Sequence, residues 1–322
     1  MNTPNPVVPS PIAAPERLRG KLAQRLSDYE WREALPFAAV HLAVLAAFWT
    51  GANPADWICC AVLYWVRMFG VTGVYHRYFS HRSYKTSRVM QFLLAWLAQS
   101  SAQKGVLWWA AHHRDHHRYS DTERDVHSPR RCGFWHAHMG WLFDHTMHTN
   151  YERIADFARY PELRFLNRFY LLPPIVLGTA VWWFLGWSGL VIGFCLSTVL
   201  LWHGTFTINS LAHMIGRRRF DTPDDSRNSW LLAIITMGEG WHNNHHHYQA
   251  STRQGFRWWE LDLTYYILKL MSVFRLVWDL REPPEEYKRS TPNASPGGPN
   301  ALASVPPPAL PSISAPAQIS AR

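Results

Sequence analysis

Apolar and polar residues run along this chain in long blocks, not in strict alternation, which predicts helices and argues against a β architecture. Four apolar blocks approach the roughly 20 residues that a helix needs to cross a bilayer. They are 34–51 (ALPFAAVHLAVLAAFWTG), 57–75 (WICCAVLYWVRMFGVTGVY), 169–187 (FYLLPPIVLGTAVWWFLGW) and 189–208 (GLVIGFCLSTVLLWHGTFTI). Their length, and tryptophans near several ends, favour membrane spans over the buried helices of a soluble protein. Very short turns, ANPAD in the first pair and Ser188 in the second, predict two hairpins. A fifth block, Val89–Ala102, is too short to span and reads as a surface or re-entrant cap helix.

Composition refines this picture. Hydrophobic residues make up 48% of the 322 residues, and 18 are tryptophan, yet the mean hydropathy is slightly negative. Polar segments therefore dilute the apolar blocks. The net charge of +9 is unevenly placed. Neither hairpin turn holds Lys or Arg, whereas Arg17, Arg19, Lys21, Arg25 and Arg32 precede the first span. Arg77, Arg82, Lys85 and Arg88 follow the second, and Arg217, Arg218 and Arg219 follow the fourth. The positive-inside bias then predicts both termini and the Tyr75–Arg168 segment in the cytoplasm, and accounts for the charge without nucleic acid. Cys59, Cys60, Cys132 and Cys195 form no disulfide or metal pattern. The proline-rich start is not a signal peptide. Residues 1–30 read as a disordered basic segment, 31–285 as one membrane domain and 286–322 as a disordered Pro/Ala/Ser-rich tail. Within the spans, Arg67 is expected to face the bundle, and His41 and His203 to be hydrogen-bonded core residues.

Candidate chemistry lies in four histidine-bearing motifs: HRYFSH (His76, His81), HHRDHH (His112, His113, His116, His117), NSLAH (Asn209, His213) and HNNHHH (His242, His245, His246, His247). Positions i, i+3 and i+4 share a helix face, which fits His113/His116/His117, His242/His245/His246 and the pair Asn209/His213. His76 and His81 diverge on a straight helix and converge only if it bends or ends between them. A lone histidine is usually a solvated surface group, and a cluster can be a pH sensor. Neither explains two H-x-x-H-H repeats beside H-x-x-x-x-H. Imidazole suits zinc, copper, iron or nickel, and nine such nitrogens are too many for one ion, so two metals are expected. No H-E-x-x-H occurs, which argues against a zincin-type protease.

Taken together, HRYFSH, HRDHH with SDTERDVHSP after it, TINSLAH and GEGWHNNHH resemble the membrane-bound fatty-acid desaturases, most closely their acyl-CoA Δ9 (stearoyl-CoA desaturase-like) branch, over roughly Leu35 to Trp278. The resemblance implies an all-α integral membrane fold. Four spans in two hairpins carry a cytoplasmic helical cap that holds a histidine-rich dimetal site. It implies two irons held by His76, His81, His113, His116, His117, His213, His242, His245 and His246, with Asn209 acting through water. The implied reaction is O2-dependent cis desaturation of a saturated acyl chain at Δ9, as in unsaturated fatty acid biosynthesis. Electrons would come from an external ferredoxin, rubredoxin or cytochrome with its reductase, docking from the cytoplasm; basic residues such as Arg217–Arg219 suit either that docking or a lipid-facing role.

Imidazole ligands need their second nitrogen anchored, and Asp115, Asp121, Glu123, Asp125 and Glu239 are the nearest carboxylates. Trp108, Trp109, Trp141 and Trp241 flank the motifs as candidate tunnel residues, with core packing as the plain alternative. His112 and His247 read as support or surface residues. Animal members of the acyl-CoA branch carry Arg-Asp before the second histidine box, where this chain has Ala111 and His112. They also carry a basic pair where HMGW is followed here by Leu142 and Phe143. The acyl carrier is therefore open between coenzyme A, carrier protein and phospholipid. Two rivals remain at this level: a diiron hydroxylase of acyl chains or alkanes, and a non-enzymatic metal transporter or sensor. A transporter should place its ligands along the spans, whereas these gather beyond their ends.

Overall fold

The computed structural model describes residues 31–144 and 148–289. The expected disordered segment 1–30 and the tail from 290 lie outside the described residues. Among the described residues the regular structure is helical apart from a two-residue antiparallel pair, β1 (Lys85–Thr86) with β2 (Val277–Trp278), and isolated bridges that join Asn228 to Arg217 and Trp241.

Helix α1 (Trp31–Val44) breaks for a turn and resumes at Ala47–Thr50. Helix α2 (Pro54–Phe69) begins on Asn53, whose backbone N–H donates to Asp56 Oδ2 at 2.8 Å, with Pro54 in the first turn where no N–H is needed. The helix then continues into the wider π-helical stretch Gly70–Ser80. Next come α3 (Arg88–Gln99), α4 (Val106–Tyr119) and α5 (Pro161–Arg168). Helix α6 (Leu172–Ser188) leads through a second π-helical stretch, Gly189–Leu196, into α7 (Ser197–Asn209). The chain closes with α8 (Trp230–Ile235), α9 (His242–His247) and α10 (Leu263–Val273).

Among the described residues two helical runs are long and apolar enough to cross a membrane, Pro54–Ser80 and Leu172–His213, while Ala34–Thr50 is a shorter apolar helix. The second run is not one rod. Gly186 has φ +67°, a left-handed conformation that a side chain resists, and it breaks the helix there. The turn expected at Ser188 thus lies two residues earlier, at the glycine. The expected start at Phe169 also moves, to Leu172, because Pro173 and Pro174 favour a helix beginning. The chain remains helical past the expected domain end at 285, through Glu285–Arg289. Tyr287 there packs against Phe220 and His247.

The block at Val89–Ala102 forms α3, which does not lie flat on a surface. Leu94, Ala95 and Ala98 are buried in the main core with Val71, Val74 and Leu107, and only one face, with Val89 and Leu93, is exposed. Gly70 lets α3 approach closely, since a Cβ there would sit 3.1 Å from Ala98 Cα. Arg67 is fully buried and faces the bundle. It donates to Thr198 Oγ1 (2.7 Å), Ser197 Oγ (2.5 Å) and Leu63 O (3.1 Å), with Phe194 beside the guanidinium. His41 and His203 meet at 3.1 Å, and His203 continues to His138 at 2.9 Å, apart from the other histidines. Outward, Phe48, Trp49, Ile58, Ile175, Trp183 and Phe184 are exposed. A soluble monomer rarely shows so much contiguous apolar surface.

Candidate metal centre

The π-helical stretch after α2 solves the spacing of HRYFSH. Its wider turn bonds residue i to i+5, and His81 N–H donates to His76 O at 3.2 Å. Residues five apart therefore share a face, and the two imidazole centroids lie 4.8 Å apart. Helix α4 brings His113, His116 and His117. The turn Leu211–His213 after α7 brings His213, and α9 brings His242, His245 and His246.

These nine side chains form two groups. His76, His81, His113, His117 and His245 have ligand-capable atoms within 4.8 Å of one another, and so do His116, His213, His242 and His246. In the first group, Nε2 atoms meet in sequence: His76–His245 at 2.9 Å, His245–His117 at 2.9 Å, His117–His113 at 2.9 Å and His113–His81 at 3.0 Å. In the second, His213 Nε2 lies 3.0 Å from His242 Nε2. Each short helix serves both groups. Helix α4 sends its four-apart pair His113/His117 to the first and His116 to the second, while α9 sends His242/His246 to the second and His245 to the first.

Carboxylates fix the rings from behind. Asp121 Oδ2 faces His213 Nδ1 at 2.8 Å, Asp224 Oδ2 faces His246 Nδ1 at 2.6 Å and Asp125 faces His116 Nδ1 at 3.3 Å. Glu239 contacts His76 Nδ1 and also accepts from Arg77 Nη2 at 2.9 Å. Arg77 in turn donates to Asp262 at 2.9 Å. A carboxylate that accepts the Nδ1 proton leaves Nε2 as a bare lone pair. Lone pairs aimed at one another repel unless a cation lies between them, so this donor set fits a divalent transition metal in each group.

Electrostatics agree. Burial, reinforced by neighbouring imidazoles, holds His81, His113, His117, His242 and His245 well below the usual imidazole range. Burial brings His246 down to about 4 against the opposing pull of Asp224. For His116 burial also pushes down, but Asp125, Asp121 and Asp224 outweigh it and raise the ring. Burial alone would raise Asp121, Asp125 and Asp224; their histidine partners instead carry them well below the carboxylate range.

A cavity of about 620 Å³ reaches the first group from the apolar half. Residues of α1 (Phe37, Val40), α6 (Pro174, Gly178, Trp182) and α7 (Trp202, Thr205) line it, and Trp108, Trp109, His112, His113 and Asn209 stand at its inner end. A second space of about 40 Å³, between Asn209, His76, His113, Glu239 and His242, shares Trp109, His113, Thr205 and Asn209 with the first. At that boundary Gln103 Nε2 donates to Thr205 Oγ1 at 3.0 Å.

The fatty acid desaturase family model matches residues 52–274, more than half of the chain. The chain belongs to the fatty acid desaturase family. It is 35% identical to an acyl-CoA 5-desaturase of Anemone leveillei, over 78% of this chain and 79% of that one. It is 36% identical to an sn-1 stearoyl-lipid 9-desaturase of Anabaena variabilis, over 78% and 93%. A palmitoyl-monogalactosyldiacylglycerol delta-7 desaturase of Arabidopsis thaliana is 34% identical, over 81% and 73%. This desaturase is accordingly an oxidoreductase of fatty-acid metabolism with acyl substrates.

Several sequence candidates in the desaturase lie elsewhere. Asp115 pairs with Arg153 at 2.6 Å and Glu123 points to solvent, so neither backs a histidine of the two groups. Trp241 donates to Leu261 O at 2.8 Å and lines neither cavity. His247 stacks on Phe220, with ring centroids 4.0 Å apart, away from both groups. Arg219 turns inward to Glu260 at 3.1 Å, which removes it from a docking surface. Asp224 escaped sequence reasoning. It lies 22 positions before His246 in a polar loop, and no helical spacing links them. Asn243 and Asn244, inside the motif HNNHHH, brace α9 instead. Asn243 accepts from Arg219 and Phe220 N–H at 2.7 Å, and Asn244 Oδ1 accepts from Asn228 at 2.8 Å.

Proposed function

We propose that this desaturase is an O2-dependent diiron enzyme that places a cis double bond at Δ9 of a saturated acyl chain. The observation that carries the reading is the pairing of nine imidazoles, six buried and three half-buried, in groups of five and four, with an apolar cavity that reaches them at His113. In this reading His76, His81, His113, His117 and His245 hold one iron. His116, His213, His242 and His246 hold the other. Asn209 assists through a water in the small space, whose 40 Å³ has room for one. Bound iron would supply the oxidant that no side-chain acid or base can provide against an unactivated C–H bond.

The protein residues have separate tasks. Asp121, Asp125, Asp224 and Glu239 keep a proton on Nδ1 of their partner rings and fix ring orientation. Trp108, Trp109, Trp182 and Trp202 exclude water and hold the acyl chain extended. The Gln103–Thr205 bond shapes the wall of the large cavity beside the metals. The depth of that cavity is the basis for a single double-bond position, and the Anabaena relative named for position 9 supports Δ9.

The unit spans residues 31–285, with four membrane-crossing segments in two hairpins and the histidine groups beyond their cytoplasmic ends. Positive-inside charge and the exposed apolar belt support that orientation. Electrons come from an external carrier protein on the cytoplasmic side. In the test, purified chain in lipid should contain two irons and, with reductant and O2, convert stearoyl substrates to 9-unsaturated product. Iron-loaded protein that yields only hydroxylated chains, or no product, would sink the reading.

A further inference from the structure

The segment from Arg257 to Leu276 carries an apolar face that no described residue covers. Helix α10 buries Thr264, Tyr265 and Leu268 on its inner side. Its outer side is apolar as well. Tyr266, Leu270, Val273 and Phe274, at i, i+4, i+7 and i+8, form one stripe in which Val273 and Phe274 are 73% and 67% exposed. Exposed tryptophans flank it, Trp258 and Trp259 before the helix and Trp278 after it. A helix bathed in water presents polar residues outward, so this face meets something apolar. With 11 residues, about 16 Å of helix, α10 is too short to cross a bilayer.

Position and charge narrow what covers it. Thr264 Oγ1, in the first turn of α10, meets Thr72 Oγ1 at 2.7 Å, within the membrane-length run Pro54–Ser80. Thr264 N–H also donates to Met237 O at 3.0 Å, and Tyr64 of the same run donates to Ile235 O at 2.6 Å. Helix α10 therefore starts beside a membrane-length helix, at the end that carries His76, where its apolar face is within reach of lipid. The segment has two acids, Glu260 and Asp262. Both are buried, Glu260 against Arg219 at 3.1 Å and Asp262 against Arg77 at 2.9 Å. Its exposed charges are Lys269 and Arg275. Acids turned inward and cations turned outward, beside an apolar stripe, suit an anionic lipid surface.

We propose that α10, with the tryptophans at its ends, lies in the plane of the leaflet on the histidine side and seats there on anionic phospholipid. Its stripe sinks into the acyl boundary, the tryptophans sit at headgroup level and Lys269 and Arg275 reach the phosphates. The seat is coupled to the metal centre by hydrogen bonds. Asp262 caps α10 by accepting from Tyr265 N–H at 3.0 Å, and it holds Arg77, which braces Glu239 behind His76. The inference goes beyond the reaction and rests on Pro54–Ser80 crossing the bilayer.

The test places the photo-crosslinker benzoylphenylalanine at Val273 or Phe274 of the full chain, held in nanodiscs of phosphatidylcholine mixed with phosphatidylglycerol. Val62 on the membrane-length run and Glu123 on the cap are the reference positions. All four side chains are exposed, so the label leaves the core packing untouched. Irradiation should add the mass of one phospholipid at 273, 274 and 62, and none at 123. Adducts at 273 and 274 should favour phosphatidylglycerol by roughly fivefold for each nearby cation. Lys269→Gln combined with Arg275→Gln should bring that ratio down to the value at 62. Crosslinks from 273 or 274 to protein, within the chain or to a second copy, would overturn the seat. So would lipid capture at 62 with none at 273 and 274, or adducts there without preference for phosphatidylglycerol. Absence of lipid at 62 as well would instead overturn the membrane placement of Pro54–Ser80, and the seat with it.

Discussion

His113 and Asp224 mark two ways in which a single side chain supports the centre. His113 Nε2 lies 3.0 Å from His81 and 2.9 Å from His117, inside the five-membered group. His113→Ala removes a metal-facing nitrogen and should take turnover below detection, with membrane insertion unchanged by protease-protection mapping. Asp224 contacts no other member of the group and acts through His246. Asp224→Asn should weaken metal binding by about 10–100-fold, measured by competition with a chelator, while Asp224→Glu restores part of it. Helical spacing made the His113/His116/His117 and His242/His245/His246 triplets visible in the sequence, and the family resemblance completed the set of nine. The sequence could not sort them into five and four, since that depends on how α4 and α9 face each other. Nor could it find Asp224, because a loop carboxylate meets its ring only after the chain has folded.

At the scale of elements, the histidine helix α4 is held at its start. Asn167 Oδ1 accepts from Leu107 N–H at 3.1 Å and Trp108 N–H at 2.9 Å, in place of a capping side chain within the helix. Gly105 makes that approach possible, because a Cβ there would lie 2.2 Å from Asn167 Oδ1 and 2.7 Å from its Cα. Gly105→Ala should therefore displace α4, cost about 1–3 kcal/mol and lower iron content, as read by thermal unfolding and metal analysis. Apolar blocks made the membrane-length helices legible, but not their ends. The turn at Gly186 depends on a backbone angle, and the π-helical stretch that aligns His76 with His81 leaves no period that a 3.6-residue template detects. The packing of one face of α3 into the core was not legible, because a short apolar run fits a surface helix as well as a core one.

The whole molecule joins an exposed apolar belt to a polar centre that is almost wholly enclosed. That enclosure has a pH consequence. Unfolded imidazoles bind protons below about pH 6.5, whereas burial keeps His81, His113, His117, His242 and His245 neutral well below that. The unfolded chain then takes up more protons than the folded one, so stability must fall as pH drops below about 6.5. Asp121, Asp125 and Asp224 add to the loss at much lower pH, where their depressed carboxyls finally protonate. Metal-free protein should melt at a clearly lower temperature at pH 5.5 than at pH 7.5. An unchanged or higher melting temperature would contradict the burial of these rings.

The exchange of side chains between α4 and α9 ties the fate of the two ions together. Because each helix has a residue in both groups, an ion seated in one fixes the backbone that presents the other's ligands. Much of the ordering cost of the second ion is then met when the first one binds. Iron supplied at half the saturating amount should divide the population into full and empty chains, with few singly occupied molecules in a native mass spectrum. By the same logic, damage on one side should empty both.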